Sequence, residues 1–229
     1  VIEDDATGDA ETSGTFAPAS DGLDFYESLE GMLVQVNNAV AVGPRRDFGS
    51  NREIPVVGDN GANAGVRTPR GGIVIRPTDF NPERIILNDL IAGGPTLPAV
   101  NVGDSFPGAV VGVMDYNFGN FKLEVAQLPG AVSSGLAQEV AAPAGTNELA
   151  VATFNVENLD PTAPPAKFAE LARLIVDHLR SPDIVAVEEI QDNNGPVNDS
   201  VVDATTTYQM LIAAIQAAGG PVYDFRQIN

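Results

Sequence analysis

Two different rhythms of apolar and polar positions divide this chain. From Leu23 to Leu128, apolar residues come in short runs broken by turn-formers, and no stretch keeps a helical period. The pattern predicts strands over 31–42, 52–57, 72–76, 84–88, 109–118 and 121–127. Gly58-Asp59-Asn60-Gly61 and Gly93-Gly94-Pro95 mark turns between them, and Asn117-Phe118-Gly119-Asn120 reads as a hairpin turn. Six such strands in about a hundred residues fit a small closed Greek-key barrel of OB type, with a sandwich as the alternative. Residues 129–147, rich in Pro, Gly, Ala and Ser, read as a linker or covering segment.

After that segment the period changes. A strand is expected over 148–156, then a helix over 165–180 with Phe168, Leu171, Leu174, Ile175 and Leu179 on one face. Pro182 ends the helix, 183–190 is a strand built for burial, and a loop follows through Asn193-Asn194-Gly195-Pro196. A second helix over 206–218 stops at Gly219-Gly220, and 222–225 is expected as a third strand. This β-α-β-α-β order begins a layered α/β domain. At about 80 residues it is short for a complete one. The fold class is thus β plus α/β: an acidic disordered linker over 1–21, a β domain over 22–128, a linker over 129–147 and an incomplete α/β domain over 148–229. Val1 in place of methionine and a strand-like end at 223–229 suggest a piece of a longer protein.

Charge narrows the partners. The chain carries 31 acidic and 12 basic residues, a formal net charge of −19. Duplex phosphates would repel such a surface, which argues against a general nucleic-acid-coating protein. It suits a site where positive charge is supplied locally by metal. With no cysteine, disulfides and thiolate metal sites are excluded. No apolar run reaches the roughly 18 residues a membrane-spanning helix needs.

Candidate chemistry gathers at two strand ends, Thr153-Phe154-Asn155-Val156-Glu157-Asn158-Leu159 and Val187-Glu188-Glu189-Ile190-Gln191-Asp192. A right-handed β-α-β crossover makes these strands parallel, with their carboxyl ends at one edge, where open α/β sheets bind ligands. Glu188 and Glu189 interrupt a run otherwise suited to burial. A metal is one compensation for such carboxylates, and oxygen ligands favour Mg²⁺, Mn²⁺ or Ca²⁺ over zinc. The plain alternative is that the strand has reached the surface by Glu188, where charge costs nothing. Glu157 and Asn158 receive no role, because no geometry can be named for them.

These residues resemble the opening of the endonuclease/exonuclease/phosphatase superfamily, the fold of pancreatic deoxyribonuclease. Its pattern is a strand ending in Phe-Asn-(Val/Ile), a helix, then Asp-Ile-(Val/Leu)-(Ala/Gly)-Leu-Gln-Glu-Val. By that resemblance Asn155 matches the first active-site Asn and Glu189 the metal-binding Glu, while Glu188 stands in place of the usual Gln. The stretch from Asp24 to Val34 (Asp-Phe-Tyr-Glu-Ser-Leu-Glu-Gly-Met-Leu-Val) is similar to the OB-like domain that precedes the nuclease domain in large secreted bacterial nucleases. The resemblance implies a DNase-I-like α/β sandwich that hydrolyses phosphodiester bonds of DNA or RNA. It also implies Mg²⁺ (or Mn²⁺ or Ca²⁺) at Glu189, and an extracellular or cell-surface location. The family's water-activating His–Asp pair would lie in the remainder of the domain, beyond Asn229. The single histidine, His178, falls near a helix C-terminus and is not expected to replace it, so residues 1–229 alone are expected to be inactive or nearly so. Two other readings stay open. One is a phosphatase or phospholipase of the same superfamily. The other is a non-enzymatic surface protein, marked by Glu189 in a salt bridge to an arginine.

A second candidate is a basic stripe. Residues 45–84 hold seven of the twelve basic residues against five acidic ones. Arg45, Arg46, Arg67 and Arg70, with Phe48 or Phe80 nearby, are candidates for holding single-stranded nucleic acid by charge and stacking. Solvated arginines on turns are the simpler account.

Overall fold

The computed structural model describes residues 14–227, and the chain divides into two compact units between Leu136 and Ala137. The first thirteen residues of the expected acidic linker lie outside the described residues. Residues 14–21 run through turns into a short helix.

The first unit is a closed β structure. Its strands are β1 (Leu33–Ala41), β2 (Arg46–Phe48), β3 (Asn51–Val57), β4 (Ile85–Asn88), β5 (Ser105–Asn117) and β6 (Asn120–Gln127). They run in the order β1-β5-β6-β4-β3-β2, and β3 also pairs with β1. Five strands therefore close into a ring, with β2 extending from β3. Every pairing is antiparallel except β4 with β6. On β5 the alternate positions Val110, Gly112 and Met114 face inward, the period of two that a half-buried strand requires. Ile54, Leu87, Phe106 and Leu123 are fully buried with them. Each such side chain stabilises the fold by roughly 1.5–3 kcal/mol through burial. The expected hairpin turn is present: Phe118 and Gly119 both take left-handed φ values, 50° and 73°.

Three elements differ from expectation here. Helix α1 (Gly22–Glu27) has only six residues, too few to reveal a 3.6-residue period. It brings Tyr26 onto Phe121, ring centroids 5.3 Å apart, and burial with the Glu83 charge pushes the Tyr26 hydroxyl up to about 12. Strand β2 hides in a Gly/Ser-rich turn. The expected strand at 72–76 is reduced to isolated bridges, Arg67 with Ile73 and Arg76 with Asp79, because Gly71-Gly72 and Pro77 confine it to tight turns.

The second unit pairs β7 (Val151–Leu159) with β8 (Ile184–Ile190) in parallel. Between them α2 (Pro165–Arg173) opens with proline at its first positions, where no amide hydrogen is needed, and widens into a π-type turn over Leu174–His178. Helix α3 is Thr205–Ala217. Phe168, Ala172, Ile175, Leu211 and Ile215 of the helical segments pack against Phe154, Val156, Val185 and Val187 of the strands. The opposite sheet face is bare, leaving Val151 63% and Ile184 52% exposed. The expected third strand at 222–225 forms no ladder. Instead side chains anchor that segment: Phe225 stacks on Tyr208 at 4.8 Å, and the Tyr223 hydroxyl donates to the Pro182 carbonyl at 2.5 Å.

Candidate functional site

The site is built on an irregularity where β7 and β8 end. The strands keep register from Val151 opposite Ile184 to Asn155 opposite Glu188, then resume at Leu159 opposite Ile190. Val156, Glu157 and Asn158 thus face Glu189 alone. Three residues of this bulge adopt left-handed backbone: Glu157 at φ 55°, Asn158 at 52° and Glu189 at 60°. Asn tolerates that region, but a Glu there costs about 1–2 kcal/mol.

The strain has a directional consequence. By strand alternation Glu189 would join Val185 and Val187 on the face the helices cover. The left-handed turn swings its carboxylate to the bare face instead, beside Asn155. There Asn155 Nδ2 donates to Glu189 Oε1 at 2.6 Å, and the Asn158 amide donates to Glu189 Oε2 at 3.2 Å. Asn155 Oδ1 accepts from the Glu157 amide at 2.8 Å, which fixes which end of the side-chain amide faces the carboxylate. Lys167, on the first turn of α2, donates to the Glu157 carbonyl at 2.6 Å, and Gln191 Nε2 donates to Asn158 Oδ1 at 2.8 Å. Next door, Thr153 donates its hydroxyl hydrogen to Glu188. Just past β7 the Thr162 hydroxyl and amide hold the Asp160 carboxyl below its ordinary range.

Three carboxylates, Glu157, Glu188 and Glu189, therefore share the strand tips. Among the described residues Glu189 forms no ion pair with Lys or Arg, and no three His, Cys, Asp or Glu side chains converge as a ready-made metal cage. The donor set still fits one kind of ion. Each Glu189 oxygen accepts one hydrogen bond, the residue is exposed, and the carboxylate offers hard oxygen ligands. A Mg²⁺-type ion, which binds through one or two carboxylates and retains several waters, suits that arrangement.

Sequence reasoning singled out Asn155 and Glu189, and the structure brings the two together. It missed Asn158, whose amide holds Glu189, and Lys167 and Gln191, which hold the bulge residues Glu157 and Asn158. The double polar step Glu157-Asn158 at the end of an apolar strand was the available signal, but a left-handed Glu leaves no mark in a sequence. His178 is occupied elsewhere: Nδ1 meets the Glu139 carbonyl at 2.8 Å and Nε2 meets Arg173 at 3.0 Å.

The four arginines of the stripe do not form one patch. Arg45 pairs with Asp47 at 2.9 Å and donates to the Leu97 carbonyl. Arg67 braces its own loop through the Gly71 and Asn60 carbonyls. Arg70 also has a partner, and Arg46 projects from β2 into solvent. Phe80 is exposed on a separate turn.

The model of one protein family, described as a domain of unknown function (DUF8508), matches residues 1–133. That segment holds the whole β-ring and ends before β7. No curated protein and no solved structure matches the chain.

Proposed function

This chain belongs to the DUF8508 family through its first 133 residues, and for the unit that follows we propose a part in metal-dependent hydrolysis of phosphodiester bonds in DNA or RNA. The observation that carries the reading is the Asn155–Glu189 hydrogen bond at the carboxyl ends of two parallel strands. A structural pair needs no strained backbone. Here two glutamates adopt left-handed φ so that a carboxylate faces solvent among other carboxylates, and strain held at strand ends is a hallmark of functional sites.

In this reading Asn155 and the Asn158 amide hold Glu189 in one orientation, and Glu189 with water binds Mg²⁺ (or Mn²⁺ or Ca²⁺). The bound ion would supply positive charge next to the scissile phosphate and leaving oxygen. Lys167 keeps the Asn155–Asn158 bulge in shape from behind. The His–Asp pair that activates water in the endonuclease/exonuclease/phosphatase superfamily would come from sequence following Asn229.

Finer features point the same way. The β-ring order β1-β3-β4-β6-β5-β1 with one parallel pairing supports an OB-like barrel. The β-α-β unit with one bare sheet face supports a DNase-I-like sandwich whose second layer lies elsewhere. An extracellular or cell-surface setting follows from the resemblance alone. The absence of an arginine on Glu189 among the described residues speaks against a purely packing role.

The test uses a polypeptide that carries this chain and continues past Asn229. Incubated with plasmid, RNA, small phosphomonoesters and lipid headgroup substrates in Mg²⁺, it should cleave the nucleic acids, and a chelator should stop it. Glu189→Gln should slow cleavage roughly 100-fold or more, since metal charge stabilisation is worth several kcal/mol. Hydrolysis confined to small or lipid phosphoesters would favour the phosphatase or phospholipase reading, and indifference to Glu189→Gln would refute both.

A further inference from the structure

A groove of about 860 Å³ crosses the outer wall of the β-ring. Strands β3 and β4 form its floor, with β2 at one side and β6 with the β5–β6 turn at the other. Each side carries an exposed aromatic ring. Phe48 on β2 is 55% exposed and Phe118 on the turn is 92% exposed. Single exposed apolar residues are common, but two phenylalanines flanking one groove are a pattern. A hairpin turn would ordinarily carry Asn or Asp where Phe118 stands in left-handed backbone.

The charges in the groove are sorted. Lys122 is buried, with Nζ 2.5 Å from Glu53 Oε1 and 5.4 Å from the centroid of the Phe118 ring, whose residue stays 92% exposed. Arg46 and Arg84 make no ion pair among the described residues; Arg84 donates to the Asn120 side chain at 3.0 Å and keeps its charge. A chain of net charge −19 thus places two arginines without an ion pair among the described residues on a groove that two exposed rings also line. Several asparagine side chains line the same groove. Rings for stacking, guanidinium groups for phosphates and amides for base edges are the parts of a single-strand binding surface. Duplex bases are stacked inside their helix and cannot use the rings.

We propose that this groove binds single-stranded DNA or RNA, with bases on Phe48 and Phe118 and backbone phosphates on Arg46 and Arg84. The proposal rests on the phosphodiesterase reading only for its choice of ligand class. The net negative charge makes the binding salt-sensitive and modest in affinity.

The experiment is fluorescence anisotropy of labelled dT15 titrated with residues 1–229 in a chelator at about 50 mM salt, a regime where phosphate contacts are strong. Binding is expected, with Phe48→Ala and Phe118→Ala each weakening it at least about fivefold, the lower bound for a lost stacking contact. Arg46→Ala should reduce the slope of log K against log salt by about 0.7 for one lost phosphate contact. Duplex and neutral oligosaccharide should not compete. No binding, full competition by the oligosaccharide, or affinity unchanged in both phenylalanine variants would overturn the proposal. Both rings are exposed, so unchanged thermal melting of the variants separates lost contact from lost fold. Because the chelator silences metal chemistry, failure here leaves the Glu189 site untouched, and failure of cleavage leaves this groove untouched.

Discussion

Asn155 Nδ2 lies 2.6 Å from Glu189 Oε1, although 34 positions separate the two residues in the chain. The parallel crossover puts their strands side by side, and the left-handed turn at Glu189 completes the approach. On the proposed reading, Asn155 acts by orienting the carboxylate. Removing such an orienting partner typically costs 10–100-fold in metal affinity. Asn155→Ala should weaken Mn²⁺ binding by about that factor in water-proton relaxation titrations. An unchanged affinity would mean the hydrogen bond serves packing alone.

The strained backbone makes its own prediction. If φ of 60° at Glu189 is a cost, glycine should relieve it and alanine should not. Glu189→Gly should leave the β7–β8 unit about 1 kcal/mol more stable than Glu189→Ala, read from amide exchange of those strands. The reverse order would show that the turn is not strained.

Glu124 predicts a pH dependence in the β-ring. Its side chain is buried with no well-formed hydrogen bond to either oxygen, and burial pushes its carboxyl up against the opposing pulls of the Leu90 amide and Lys122. Between the ordinary carboxylate value and the raised folded one, the folded state thus holds a proton that the unfolded chain has released. Stability should fall as pH rises from the ordinary carboxylate range through the raised folded value, and stay lower above it. Glu124→Gln should flatten that fall, stabilising the fold at pH 7 and leaving it unchanged near pH 3 in chemical denaturation. A loss of stability at pH 7 would contradict the assignment.

The Lys122–Glu53 pair is nearly sequestered, with side-chain exposures of 4% and 16%. Breaking such a pair costs more than replacing it, because one charge stays buried without its partner. Lys122→Met should destabilise by about 3 kcal/mol, and Lys122→Met with Glu53→Leu should recover most of that. Additive losses in the double variant would show that the ion pair itself is not the source of the cost.

The long strands could be read from sequence because period-two burial and turn residues agree, as along β5 and at the Phe118-Gly119 turn. Helix α1 could not, since six residues give no period. The apolar run at 222–225 looked like a strand, yet Tyr223 and Phe225 are held by a carbonyl and a ring and not by a ladder. At the site, strand adjacency made the meeting of Asn155 and Glu189 legible. The re-aiming of Glu189 was not, because alternation alone places it on the covered face. The groove was half legible: Arg46, Phe48 and Arg84 lay in the basic stripe, but Phe118 reaches it only through the closing of the ring.

The central claim is that Glu189, held in place by its orienting amides, binds a hard divalent ion. Paramagnetic broadening by Mn²⁺ in the amide spectrum of the labelled chain reads this directly. The amides of Asn155, Glu157, Asn158 and Glu189 should broaden first, and Glu189→Gln should abolish the effect there. Broadening centred on the acidic loop at 192–203, or an identical pattern in the Glu189→Gln variant, would contradict it.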